Sequence, residues 1–166
     1  CSLSRSNSHQ TSPLIYLAKA DELRILEELF EDIYVPLQIY EETQVKRHLE
    51  DAKRIRKARF LKVCNLTPEE DSLINKICEE HNINELDCSP ISLYLSRKLD
   101  YVLFANTDAS KVARKLNVSV INPFELGKIR FSDDDSLEEY VLKLESAGYS
   151  TRQMREFLDS INSKKN

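Results

Sequence analysis

Glycine is nearly absent: the 166-residue chain holds only Gly127 and Gly148. Average usage is about 7%, so a glycine-rich phosphate loop has no material here, and neither GxGxxG nor GxxxxGKS/T occurs. Nucleotide sites of those kinds are excluded. No apolar run approaches the roughly 18 residues that a bilayer span needs, and the first residues carry no apolar core of a secretory signal. The expectation is a cytoplasmic protein with no membrane partner. Cysteine is sparse. Cys1, Cys64, Cys78 and Cys88 form no CxxC pair, and no histidine sits at zinc-ligand spacing. Cys64 in an apolar stretch and Cys78 on an amphipathic pattern read as small hydrophobes; a disulfide between distant positions stays open.

Apolar residues make up 41% and charged residues 31%, an ordinary balance for a globular domain. The net charge of −4 argues against general attraction to nucleic acid, but the charge is unevenly spread. From Lys46 to Lys62 the chain reads KRHLEDAKRIRKARFLK, with only Glu50 and Asp51 opposing the bases. Lys46, Arg47, Lys53, Arg54, Arg56 and Lys57 are candidates to track a phosphate backbone. The alternative reading is a solvated helix face.

Residues 1–12 read as a polar loop. Pro13 opens a short helix, and Asp21 is expected to cap DELRILEELF, whose Leu23, Leu26, Leu29 and Phe30 share a face. Asp32 to Val35 suits a buried strand. Pro36 then starts a helix toward Glu50 with Leu37, Tyr40 and Val45 on one side. Phe60 to Leu66 alternates as a strand does, and Thr67-Pro68-Glu69-Glu70 combines a cap, a first-position proline and first-turn acids. That helix is expected to reach His81. Asp87 is expected to cap a helix through Lys98, and Asp108 to cap ASKVARKL. Tyr101 to Ala105 and Val118 to Asn122 read as parallel strands. The alternation predicts right-handed βαβ units. Residues 132–166 predict a helical hairpin broken at Gly148 and packed on a core of residues 1–131, one domain overall.

QTSPLIYLAKADELRILEELFEDIYVPLQIYEE resembles the opening of a PIN domain, in the bacterial and archaeal branch related to toxin ribonucleases. YVLFANTDASKVARKLNVSVI is similar to that family's late strand, acidic turn and helix, and LEEYVLKLESAGYSTRQMREFL to its C-terminal helical pair. The resemblance implies an α/β fold, a three-layer α/β/α sandwich with a central parallel sheet. It also implies acids from separate strand ends that hold Mg²⁺ or Mn²⁺, since hard cations take oxygen ligands and activate water. Carried over one position at a time, Gln10 falls where the first aspartate stands, Glu42 matches the helix glutamate with Glu41 one residue away, and Ser89 and Pro90 fall on the central Gly-Glu pair, with Asp87 near but out of register. In FANTDAS, Asn106 falls on one acid and Asp108 on another. Glu42 and Asp108 are thus the implied metal ligands, with Gln10 and Asn106 completing the catalytic set as uncharged oxygens.

With ligand charge removed, affinity for a hard cation falls, and fold alone does not confer activity. The expectation is weak or absent catalysis with RNA or partner binding retained. The alternatives are an active metal-dependent endoribonuclease and a protein-interaction module without a nucleic-acid role. The resemblance further implies a homodimer and a cognate protein partner.

Overall fold

The computed structural model describes residues 12–165. Helix α1 (Pro13–Lys19) starts as its sequence dictates: the Ser12 hydroxyl accepts from the Leu14 N–H at 3.2 Å and Pro13 takes the first turn. Helix α2 (Arg24–Leu29) begins later than expected. Asp21 adopts the left-handed region at φ 56°, tolerated by a short polar side chain, and Leu23 precedes the helix without a side-chain cap bond. Strand β1 (Ile33–Pro36) leads into α3 (Leu37–Thr43). This helix stops before Val45, where the Thr43 hydroxyl turns back to the Tyr40 carbonyl at 2.6 Å. Val45 therefore leaves the expected apolar face and is 73% exposed. The basic stretch opens a separate helix, α4 (Glu50–Lys57), which packs on α1 through Ala52 and Ile55. Strand β2 (Leu61–Cys64) follows.

Helix α5 (Pro68–His81) carries the full capping box, with Thr67 and Glu70 each accepting the other's N–H. The same Glu70 carboxylate, 2% exposed, receives Arg97 Nε at 2.9 Å and Nη2 at 3.1 Å and the Ser96 hydroxyl. The Arg97 guanidinium holds its pKa down at about 2, against the upward push of burial. Glu70 thereby joins α5 to α6 (Glu85–Arg97). Helix α6 begins at Asn84, not Asp87: Asn84 Oδ1 accepts the Asp87 N–H at 2.9 Å, and Asp87 lies inside the first turn. Pro90 in the helix leaves the Leu86 carbonyl without its usual partner, and the Ser89 hydroxyl donates to it at 2.9 Å. Strand β3 (Val102–Leu103), α7 (Thr107–Lys115), β4 (Val120–Ile121) and α8 (Pro123–Arg130) complete the alternation.

The fold is mixed α/β and mostly helical, with short parallel strands. Those strands form two separate pairs, β1 with β2 and β3 with β4, so no single central sheet is hydrogen-bonded among the described residues. Both pairs lean on α6. The final helices, α9 (Asp134–Ser146) and α10 (Arg152–Lys165), bury Leu137, Tyr140, Val141, Leu144, Met154 and Ile161. Most of these residues join one apolar cluster with Leu14, Leu17, Ile25 and Ile55. A second cluster, built from Ile74, Ile77, Cys88, Ile91, Phe104 and Val112, lies between α5, α6, α7 and β3. No helix among the described residues is long and apolar enough to cross a membrane.

Candidate functional site

A cleft of about 660 Å³ runs between the facing sides of β1 and β3, walled by Val35, Ile39, Leu86, Leu93 and Phe104. Ser12, Glu42, Asp87 and Asn106 also line it. They arrive from α1's cap, α3, the first turn of α6 and the turn after β3. Segments distant in sequence thus converge where parallel strands end, the usual place for a site in an open α/β fold.

Asp87 is the group most altered by this setting. Burial in the cleft wall raises its pKa to about 6, and the Asp108 carboxylate adds to the rise. A carboxyl held near neutrality inside a cleft marks a candidate functional group. Its partner is Asn106, whose Nδ2 donates to Asp87 Oδ2 at 3.3 Å. Asn106 also caps α7, because its Oδ1 accepts from the N–H groups of Asp108 at 2.8 Å and Ala109 at 3.5 Å. The expectation that Asp108 caps this helix is therefore corrected. Asn106 turns back two residues earlier, which leaves the Asp108 carboxylate exposed to solvent.

The sequence-derived set is brought together in part. Glu42, rather than Glu41, lines the cleft. Asn106 and Asp108 lie beside Asp87. Gln10 lies outside the described residues. Asp87, two residues ahead of the Ser89 and Pro90 that fall on the family's Gly-Glu pair, lines the cleft from the first turn of α6. The signal that identifies it is Asn84 followed at the third helical position by an acid, a capping pattern in its own right.

These donors do not fit a tightly held Mg²⁺ or Mn²⁺. Such an ion takes several converging oxygens, whereas Asn106 turns its amide N–H₂ toward Asp87 and its oxygen toward the helix. Among the described residues no three His, Cys, Asp or Glu side chains gather closely enough to hold a metal. Glu42 and Asp108 are thus not joined in such a group.

The basic stretch divides into two kinds of residue. Arg54 donates to the Ala18 carbonyl at 2.8 Å, and Arg56 to Gln44 Oε1 at 2.7 Å and the Arg47 carbonyl at 3.0 Å. Both guanidinium groups serve to hold α4 in place. Lys46, Arg47 and Lys57 stay exposed and Lys53 partly so. None of the six lines the cleft, whose basic residues are Arg97 and Lys98.

A family model described as a PIN domain matches residues 9–122. No curated protein and no solved structure matches the chain.

Proposed function

Because the chain belongs to the PIN-domain family, generally a nuclease fold, we propose that it binds RNA and has lost most of the family's metal-dependent cleavage. The observation that carries this reading is the Asp87–Asn106 hydrogen bond. Where a nuclease of this fold needs a further carboxylate, an uncharged amide N–H₂ faces Asp87 and offers a metal no oxygen. Divalent ions are typical of the family, and in this chain Asp87, Asp108 and Glu42 are the acids nearest to supplying ligands.

The second reading, an active endoribonuclease, draws on one specific observation. Asp87 adds a cleft carboxylate beside Asp108 that the sequence register had set aside. We further propose that the two strand pairs belong to a three-layer α/β/α arrangement, which the parallel pairing and the shared contact with α6 support. A homodimer and a cognate protein partner belong to the same proposal by family likeness, and the core of residues 1–131 with its C-terminal hairpin and a cytoplasmic location belong to it from the sequence pattern.

The test compares the native chain with Asn106→Asp on an unstructured RNA. Aspartate also caps helices, so the variant keeps α7 while setting a new carboxylate against Asp87. The native chain is expected to bind RNA in EDTA and to cleave it barely in millimolar Mn²⁺. Asn106→Asp is expected to cleave about tenfold faster or more, worth ~1.4 kcal/mol of barrier. Rapid Mn²⁺-dependent cleavage by the native chain, lost in Asp108→Asn, would establish the active reading instead. Absence of RNA binding would leave the protein-interaction module.

A further inference from the structure

We propose that Cys78 and Cys88 form a reversible intramolecular disulfide that ties the end of α5 to the first turns of α6. The two Sγ atoms lie 2.9 Å apart, less than about 1 Å from the ~2.05 Å of a disulfide bond. The hairpin itself produces this approach. Asn82 ends α5 in the left-handed region at φ 53°, Asn84 caps α6, and the helices return on one another through residues 82–84. Glu70 and Ser92 fix the other end, where the Ser92 hydroxyl donates to the Glu70 carbonyl at 2.8 Å. The sulfurs are thus held across a short, pinned pair of helices.

The two thiols differ in access. Cys88 is 0% exposed, in the cluster with Ile74, Ile77 and Ile91, while Cys78 at its edge is partly open to solvent. That asymmetry assigns the steps. The Cys78 sulfur attacks a low-molecular-weight disulfide such as oxidised glutathione, forming a mixed disulfide and releasing one small thiol. The Cys88 sulfur then attacks Cys78 Sγ and releases the second. The two thiol protons leave with the two small thiols, so one disulfide is consumed and one is made. Asp87 precedes Cys88 in the same turn, so the bond would tether to α5 the backbone that carries the cleft carboxyl. The inference is independent of the function proposed above. A disulfide that comes and goes also suits a reducing compartment, where such bonds are transient and redox-sensing.

The full chain is treated with oxidised glutathione, alkylated under denaturing conditions and measured by intact mass and peptide mapping. The expected product is alkylated at Cys1 and Cys64 only, and the linked Cys78 and Cys88 peptides together weigh about 2 Da less than their free-thiol forms, for the two hydrogens removed. Its melting temperature is expected to rise by roughly 5–10 °C, as closing a short loop in a chain of this size implies, and to return with dithiothreitol. Cys78→Ser, at the partly exposed position, should fold and lose both effects; Cys64→Ser should keep both. A stable glutathione adduct on Cys78, or alkylation of both cysteines after excess oxidant, would overturn the proposal.

Discussion

At Asp87, burying a single carboxyl in the cleft wall costs stability at neutral pH. Burial and the Asp108 charge raise its pKa to about 6 from the usual 3.8. Between those values the folded chain holds a proton that the unfolded chain has released, so this residue's contribution becomes more unfavourable as pH rises from about 4 to 6. Above that window the charged carboxyl is a standing cost. Asp87→Asn keeps an oxygen that can accept from Asn106 and removes the charge. The variant is expected to be more stable at pH 7.5 by about 1–2 kcal/mol, discounted for partial solvent access, which raises the melting temperature by roughly 2–6 °C. At pH 4 the gain should vanish. Thermal melts at the two pH values decide it, and an equal gain at both would mean that charge is not the cause. The residue was visible in the sequence, but its importance was not. Asn84, Asp87, Asn106 and Asp108 are all good caps, and composition alone does not say which of two caps a helix will use.

At the scale of elements, starts with several agreeing signals were legible and starts with one signal were not. Thr67, Pro68 and Glu70 together fix α5, as their sequence signals, and the structure shows the same combination at Asn122, Pro123 and Glu125 opening α8. Asp21 stood alone, and the chain passes it in a left-handed turn before α2 begins. The packing of α8 against α9 depends on something subtler. A Cβ at Gly127 would meet the Tyr140 ring carbons at 2.5 Å. Tyr140 cannot easily yield, because it is 1% exposed and its hydroxyl donates to the Pro123 carbonyl at 2.6 Å. Gly127→Ala gains helix propensity of about 1 kcal/mol, but the overpacking costs typically 1–3 kcal/mol and occasionally more. With backbone and ring both pinned, the upper end applies and the clash wins. The expected result is a melting temperature lower by roughly 2–8 °C. A variant as stable as the native chain would show that the α8–α9 contact is looser than its geometry.

For the molecule as a whole, helix periodicity and the core of the final hairpin could be read in advance, but the sheet could not. Strands as short as Val102–Leu103 and Val120–Ile121 carry too few residues to specify which edges meet, and pairing is decided by tertiary contacts that one sequence does not display. The charge distribution was legible in outline only. Arg54 and Arg56 belong to the fold, which leaves Lys46, Arg47, Lys53 and Lys57 as the outward part of the basic stretch. On a chain of net charge −4, any RNA affinity must come from such a local concentration, and salt must weaken it strongly. Neutralising three or four phosphates of a single strand gives a slope of log affinity against log salt of about −2 to −3. Lys46→Glu, Arg47→Glu and Lys57→Glu together should bring that slope close to zero without lowering the melting temperature, since none of these side chains buries apolar surface. Arg54→Gln should do the reverse, lowering stability through the lost Ala18 contact and leaving the slope unchanged. Titrations of labelled RNA at several salt concentrations separate the two. An unchanged slope in the triple variant would move the RNA path away from α4 and toward Arg97 and Lys98 in the cleft.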